Sequence, residues 1–215
     1  MSGRDAILVV VPMKDPFASK SRLSDTMSVP QRAALARLLF RQTLRVLAQA
    51  KEAWDHFDIA VVTASDAAAE IAAAVGVPVL TEGAPSSLSK AADRAAAWAA
   101  ADGYKALAIL PGDLAAPEPG DICRFLRHGM KTGQPVLCPS TDNGTNAILV
   151  APPGAIAFQY GPNSAIHHQR ALEAAGFAPI LMPLESLRFD IDTSACLDSA
   201  AAQDPALRAI KGDRA

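Results

Sequence analysis

The first apolar run of the chain, Ala6 to Val11, constrains the fold more than any other segment. An uninterrupted apolar run of this length is typical of a strand buried on both faces, such as a central strand of an α/β sheet. Pro12 ends the run, because proline cannot donate a hydrogen bond to a sheet ladder. The segment that follows is therefore expected at the carboxyl end of a central strand, where open α/β sheets bind their ligands.

The loop after Pro12 is strongly basic. It carries Lys14, Lys20 and Arg22, opposed by the single carboxylate of Asp15. Lysine offers a point charge and arginine a planar fork for phosphate oxygens, so this basic loop (residues 14–22) is predicted to bind a polyanion. The alternative is a solvated surface loop that is basic by chance. The loop is not a P-loop, since the pattern Gly-x-x-x-x-Gly-Lys-Ser/Thr is absent.

Apolar runs and helical periods alternate along the rest of the chain. Ser28 to Gln31 has the residues of a capping box at the start of the longest helix, expected over 28–52. Further helices are predicted over 65–76, 86–101 and 120–130 and from residue 163, and strands over 58–63, 77–80, 105–110, 135–138 and 146–151. This alternation predicts a three-layer α/β fold, and no linker interrupts it, so residues 1–215 are expected to form one domain.

Composition excludes several classes of protein. A formal net charge of −2 argues against nucleic-acid binding by bulk electrostatics. The N-terminal apolar run is too short to span a bilayer and ends in proline, so neither a membrane span nor a signal peptide is predicted. The three cysteines are widely spaced and lie outside any C-x-x-C pattern, which disfavours a disulfide framework. We therefore expect a cytoplasmic protein with no nucleic-acid or membrane partner.

Two carboxylate segments follow buried runs. Asp113 comes just after the apolar run 105–110, and the tripeptide Asp190-Ile191-Asp192 follows the run 180–184. Strand alternation would point both carboxylates of the tripeptide to one face and Ile191 to the other. Carboxylates held together repel, and a divalent cation relieves the repulsion, so a metal site is predicted with Asp113 as third ligand. The alternatives are a turn residue at Asp113 and a helix cap at Asp192.

A third pair of segments is rich in glycine and small polar residues. They are 142–146, with Gly144 and Thr145, and 160–164, with Gly161 and Ser164. Glycine allows a ligand to approach the backbone closely, and the helix expected to start near Ser164 offers free N–H groups to an anion. A plain helix cap explains the same residues. His167 and His168 lie on this helix, but adjacent helical residues do not share a face, so no metal site is predicted there.

The order and spacing of these motifs resemble a known enzyme family. The pattern is Pro12-x-Lys14-x5-Lys20-Ser21-Arg22-Leu23, Leu110-Pro111-x-Asp113, Gly144-Thr145-Asn146, Gly161-Pro162-x-Ser164-x3-His168 and Asp190-x-Asp192. It resembles the phospholactate and phosphoenolpyruvate guanylyltransferases of coenzyme F-420 biosynthesis, from about Ile7 to Leu197. The resemblance implies a Rossmann-like nucleotide-diphospho-sugar transferase fold of the glycosyltransferase-A type, with a mixed, mostly parallel sheet.

The resemblance also implies the substrates and the roles of residues. The donor would be GTP, the cofactor Mg²⁺, and the acceptor a small phosphorylated carboxylic acid: phosphoenolpyruvate or 2-phospho-L-lactate first, 3-phosphoglycerate third. The implied roles are metal ligation by Asp113, Asp190 and Asp192, catalysis by Lys14, Lys20, Arg22 and Asp113, and acceptor binding by Thr145, Gly161, Ser164, His167 and His168.

The chain departs from the family pattern mainly on the acceptor side. His167 stands where relatives commonly carry arginine, so its contact with the acid is expected to weaken as the ring loses its charge above about pH 6.5. Two rival functions stay open: a transferase of the same fold acting on a sugar phosphate or molybdopterin, and an inactive nucleotide-binding regulatory protein. The oligomeric state, a homodimer included, is also left open.

Overall fold

The computed structural model describes residues 4–81, 84 and 86–212. Its strands are β1 (Arg4–Pro12), β2 (Phe57–Thr63), β3 (Val79–Thr81), β4 (Tyr104–Ile109), β5 (Val136–Pro139), β6 (Thr145–Val150) and β7 (Ile180–Leu181). Its helices are α1 (Val29–Ala53), α2 (Asp66–Ala74), α3 (Leu88–Ala101), α4 (Pro119–Thr132), α5 (Ser164–Ala174), α6 (Glu185–Arg188), α7 (Ser194–Gln203) and α8 (Pro205–Lys211).

The strands form one sheet in the order β3-β2-β1-β4-β6-β5-β7. Within the described residues only β6 runs antiparallel to its neighbours, β4 and β5. The fully apolar β1 lies between β2 and β4, as its sequence predicts. The predicted capping box is also confirmed, since Ser28 and Gln31 bond reciprocally at the start of α1.

Helices cover both faces of the sheet. The side chains of Ile7, Val9 and Val11 pack with α1, α2 and α4 on one face. Those of Leu8 and Val10 pack with the alanine-rich α3 and with α5 on the other. The predicted three-layer α/β fold with a mixed, mostly parallel sheet is therefore confirmed.

A third apolar cluster lies beside α1, away from the sheet. It joins Leu23 and Met27, which follow the basic loop, to Leu35 and Leu39 of α1 and to Ile191. Residues of α7 and α8 complete it. Because Leu23 and Ile191 are both about 1% exposed or less, this cluster fixes the basic loop and the Asp190–Asp192 segment against the same support.

Two further expectations can be compared with the structure. Cys123, Cys138 and Cys196 are all free thiols, as their spacing predicts. None of the helices in the described ranges has the length and apolar character needed to cross a bilayer.

Candidate active site

A cleft of about 590 Å³ opens at the carboxyl ends of β1, β2 and β4. In the sheet, β2 lies on one side of β1 and β4 lies on the other. The strand order therefore reverses direction at β1, and α/β sheets bind their ligands at such a point. Since β6 is antiparallel, its amino end reaches the same edge. The lining comes mainly from parts of segments 12–22, 86–91, 111–113, 140–146 and 160–164, together with Asp190 and Asp192. The structure thus brings all but two of the predicted site residues to one cleft, the exceptions being His167 and His168.

Lys20 is the buried cation of the cleft. Its ammonium Nζ lies 2.5 Å from Oδ2 of Asp113 and 3.0 Å from Oδ1 of Asp192, while its side chain is only 2% exposed. Burial alone would lower the pKa of Lys20, but the charges of the two aspartates outweigh it and raise the pKa above the ordinary value. Lys20 is therefore a permanent cation within the carboxylate cluster (Asp113, Asp190 and Asp192).

The backbone of Lys20 is also unusual. Its φ of 57° and ψ of 37° place it in the left-handed region, which costs a non-glycine residue about 1–2 kcal/mol. The two ion pairs offset that cost and hold the ammonium group in one place. The other two cations of the basic loop are exposed: Arg22 lies 3.4 Å from Asp192 with 68% of its side chain accessible, and Lys14 lines the cleft opening.

The carboxylate cluster has the geometry of a cation site. One oxygen from each of Asp113, Asp190 and Asp192 lies within 4.8 Å of the others. Burial, followed by the charges of Asp192 and Asp113, raises the pKa of Asp190 to about 6. Lys20 bonds Asp113 and Asp192, whereas no cation bonds Asp190 within the described part of the chain. Three oxygen donors whose mutual repulsion Lys20 offsets only in part suit a hard divalent cation.

The tripeptide at 190–192 alternates as its sequence predicts. Both aspartates line the cleft, and Ile191 is fully buried in the third apolar cluster. Asp190 also forms an antiparallel bridge with Leu114, which places it beside Asp113. The alternative of a helix cap at Asp192 is wrong, because Thr193 caps α7 through the backbone N–H of Cys196.

The opposite wall of the cleft carries neutral hydroxyl groups. Oγ of Ser164 lies 3.2 Å from Oγ1 of Thr145, and both residues are buried at 2% and 8% exposure. Behind them, Nδ1 of His168 lies 2.9 Å from the same Thr145 oxygen. His168 is fully buried and does not line the cleft, so direct contact between His168 and an acid is not supported.

His167 lies on the solvent side of α5. Its side chain is exposed and is not part of the cleft lining. The expected pH-dependent contact between this ring and an acid therefore has no support in the structure. The helix geometry explains this, because residues 167 and 168 point in directions about 100° apart and Thr145 faces His168.

Sequence reasoning missed three serines of the cleft, Ser87, Ser89 and Ser140, and it assigned no role to Asn146 and Tyr160, which lie within the predicted segments. Nδ2 of Asn146 and Oη of Tyr160 are buried and have no hydrogen-bond partner among the described residues. Buried donors are normally satisfied, so these two atoms point to a ligand. The serine-rich segment before α3 indicated a helix start, and serine hydroxyls that cap helices cannot be told from ligand-binding ones by residue type.

Most of the chain is similar to known guanylyltransferases. The family model described as "Guanylyl transferase CofC like" matches residues 7–197. The chain belongs to this guanylyltransferase family. It is 36% identical over 185 residues to the 3-phospho-D-glycerate guanylyltransferase of Colwellia psychrerythraea, covering 86% of each chain. It is 34% identical over 196 residues to the phosphoenolpyruvate guanylyltransferase of Streptomyces coelicolor, covering 90% of this chain and 89% of the other.

Solved structures agree with this family at the level of the fold. A protein from Desulfovibrio desulfuricans G20, provisionally described as a nucleotide-diphospho-sugar transferase, superposes with a TM-score of 0.66 at 16% identity. The match covers 95% of this chain and 97% of that one. The family makes this protein an enzyme of the nucleotidyltransferase class, and the structural match confirms the expected fold.

Acidic pH is expected to destabilise this CofC-like enzyme through His168. Burial, aided by the neighbouring His167, lowers the pKa of His168 to about 4, below the value of about 6.5 in the unfolded chain. The unfolded state therefore takes up a proton first as the pH falls, and stability is lost between about pH 6.5 and pH 4. The loss between pH 7 and pH 5 should be about 2 kcal/mol from this group.

Urea denaturation of the parent and of His168→Asn at pH 7 and pH 5 isolates this loss. The raised pKa of Asp190 acts in the opposite direction over the same pH range, but equally in both proteins. His168→Asn should show a smaller difference between the two pH values than the parent protein, whatever its stability at pH 7. The matched control is His56→Asn, since His56 is exposed in the loop before β2. This variant keeps the buried ring of His168 and should therefore keep the contribution of His168 to the pH dependence. An unchanged difference in His168→Asn would contradict the low pKa of the buried ring.

Proposed function

We propose that this enzyme transfers GMP from GTP to the phosphate of a small phosphorylated carboxylic acid and releases pyrophosphate. The proposal rests on one observation: a charged wall and a neutral wall face each other across one cleft. One wall holds Lys20 and the carboxylate cluster, and the other offers the neutral hydroxyls of Thr145 and Ser164. The names of the relatives, all guanylyltransferases of phospho-acids, support the choice of GTP and of this acceptor class. On the family resemblance, the reaction belongs to coenzyme F-420 biosynthesis.

The chemistry requires no general base. A phosphate monoester carries negative charge at neutral pH, so its oxygen is already a nucleophile. That oxygen attacks the α-phosphorus of GTP, the bond to the bridging oxygen breaks, and pyrophosphate leaves with the electron pair. Because both partners are anions, catalysis consists of positioning them in line and neutralising their charge.

The residues of the charged wall, Lys20 and the carboxylate cluster, are suited to neutralising the charge of the two phosphate groups. Lys20 supplies a buried ammonium group within the carboxylate cluster, and Arg22 and Lys14 supply exposed cations at the opening. Asp113, Asp190 and Asp192 would hold Mg²⁺, which when bound adds positive charge for the phosphate oxygens and the leaving pyrophosphate. Pro111 and Gly112 follow the end of β4, which pairs with β1 and β6, so the sheet places at least one of these ligands.

The neutral wall, with Thr145 and Ser164, is suited to positioning the acceptor acid. The Thr145–Ser164 pair and the backbone N–H of Gly161 can donate hydrogen bonds to a carboxylate or phosphate without adding charge. The unpartnered donors of Asn146 and Tyr160 suit an acceptor that has an additional hydroxyl group. We therefore place 3-phosphoglycerate first among acceptors, ahead of phosphoenolpyruvate and 2-phospho-L-lactate, which reverses the order expected from the sequence.

Pyrophosphate release tests the proposal. The enzyme is supplied with Mg²⁺ and with GTP, ATP or CTP, each crossed against 3-phosphoglycerate, phosphoenolpyruvate, 2-phospho-L-lactate and glucose 1-phosphate. Release should require both GTP and one of the phospho-acids. Release with the sugar phosphate in place of the acids would favour the transferase with another acceptor. Binding of GTP with no release for any acceptor would favour the regulatory protein.

A further inference from the structure

The buried ring of His168 lies behind the neutral wall and is held at both nitrogens. Nδ1 is 2.9 Å from Oγ1 of Thr145, and Nε2 is 2.9 Å from the backbone nitrogen of Gln159. The ring also meets the edges of two aromatic neighbours, with centroid distances of 4.9 Å to Tyr160 and 5.9 Å to Phe158. Its position is therefore fixed from several sides.

The contact at Nε2 determines the tautomer. A backbone N–H can only donate, so Nε2 must accept the hydrogen bond from Gln159 and cannot carry a proton. The neutral ring then carries its proton on Nδ1, which donates to Oγ1 of Thr145. An imidazolium would place two donors face to face at Gln159, and burial keeps the pKa of His168 at about 4, well below neutrality.

This tautomer leaves one hydroxyl hydrogen for the cleft. Thr145 and Ser164 have two hydroxyl hydrogens, and one of them is used in the bond between the two residues. Since Thr145 accepts from His168, the second hydrogen is not consumed by the ring. Both residues line the cleft, so we infer that this hydrogen is available to an anionic oxygen there. With the opposite tautomer the ring would accept it instead.

We propose that His168 is a positioning residue for the acceptor acid: by donating from Nδ1 to Thr145 it makes the Thr145–Ser164 pair a hydrogen-bond donor toward the cleft. The inference rests on the proposed function for the identity of the ligand, an anionic oxygen of the phospho-acid. The His168 ring itself touches no substrate. Its effect passes through the two hydroxyl groups.

A purely structural role is the rival explanation. The backbone N–H groups of residues 158–160, which end in the cleft at Tyr160, each donate to a side chain. The acceptors are Asp93, His168 and Ser89, in that order. His168 could serve only to hold this segment. The two roles use different nitrogens of the ring, and two substitutions separate them. Asparagine places its amide where Nδ1 lies and can donate to Thr145, whereas glutamine reaches the place of Nε2 and can accept from Gln159.

Steady-state kinetics with His168→Asn and His168→Gln tests the proposal, with 3-phosphoglycerate and phosphoenolpyruvate as acceptors. His168→Asn should keep the KM for the acid within about threefold of the parent, while His168→Gln should raise it about 10- to 100-fold, the usual effect of losing a hydrogen bond to a charged group. The KM for GTP should change less than about twofold in both. The reverse ranking, or equal effects of the two substitutions on the acid, would overturn the proposal. His56→Asn again serves as the control.

The tautomer can be measured on the parent protein without any variant. In the full chain labelled with ¹⁵N-histidine, the NMR shifts of His168 at pH 7 should show a protonated Nδ1 and an unprotonated Nε2. A proton on Nε2, or a charged ring, would overturn the proposal. Because this measurement needs no substrate, a failed transfer assay with the expected tautomer would count against the proposed function alone.

Discussion

Asp190→Asn and Asp192→Asn should each reduce Mg²⁺-dependent transfer by about 10³-fold or more, because each removes one anionic ligand from a site of three. The two substitutions should differ in stability. Asp190 has no cation bonded to it among the described residues, so its replacement relieves repulsion, and the melting temperature without metal should stay unchanged or rise. Asp192 pairs with Lys20 and Arg22, so its replacement should lower the melting temperature.

Both predictions are tested by measuring turnover and thermal unfolding of Asp190→Asn and Asp192→Asn with and without Mg²⁺. Asp198→Asn is the matched control, since Asp198 lies on α7 outside the cleft lining and pairs with Lys211. It should keep full turnover. Parent-like turnover in either Asp190→Asn or Asp192→Asn would refute a metal-binding role for that carboxylate.

Lys20→Ala should reduce kcat by about 10²- to 10³-fold, because it removes a fixed cation from the place where phosphate charge is neutralised. The structure adds a second expected effect. Without Lys20, Asp113 and Asp192 lose their ammonium partner, which should cost about 1–3 kcal/mol of stability in the absence of metal. Mg²⁺ would then compete only with the exposed Arg22 at Asp192, so it should raise the melting temperature of Lys20→Ala more than that of the parent.

Thermal unfolding across a Mg²⁺ titration, together with GTP kinetics, measures both effects. Lys131→Ala is the control, because Lys131 is an exposed residue in the last turn of α4. Unchanged GTP kinetics in Lys20→Ala would favour the solvated-loop alternative for the basic loop. An equal Mg²⁺-induced shift in Lys20→Ala and the parent would show that the ammonium group does not compete with the metal.

The fold was predictable from sequence where local chemistry determines it. The apolar run of β1, the capping box at Ser28 and the alternation of Asp190, Ile191 and Asp192 all depend on near neighbours in the chain, and all three are confirmed. The shortest strands were less well placed: the run 77–80 is paired only from Val79 to Thr81, and β7 has two residues. In such strands the pairing depends on distant partners more than on local pattern.

The contacts within the site could not be predicted in the same way. Lys20 meets carboxylates that are 93 and 172 positions away in the chain, and its left-handed backbone has no sequence signal, since lysine is not among the residues that favour it. The burial of His168 and the exposure of His167 depend on which face of α5 meets β6. That helix is weakly amphipathic, so its sequence does not determine its rotation.

The reversed direction of β6 divides the cleft between two regions of the chain. Lys20 and Asp113 come from segments that leave the parallel strands β1 and β4, whereas Thr145 is reached through the loop that enters β6. An insertion or deletion between residues 140 and 144 would therefore alter one wall and leave the pairing of β1 with β4 unchanged. Under the proposed function, a lineage could exchange one acceptor acid for another by altering this loop while the site of phosphate chemistry stayed constant.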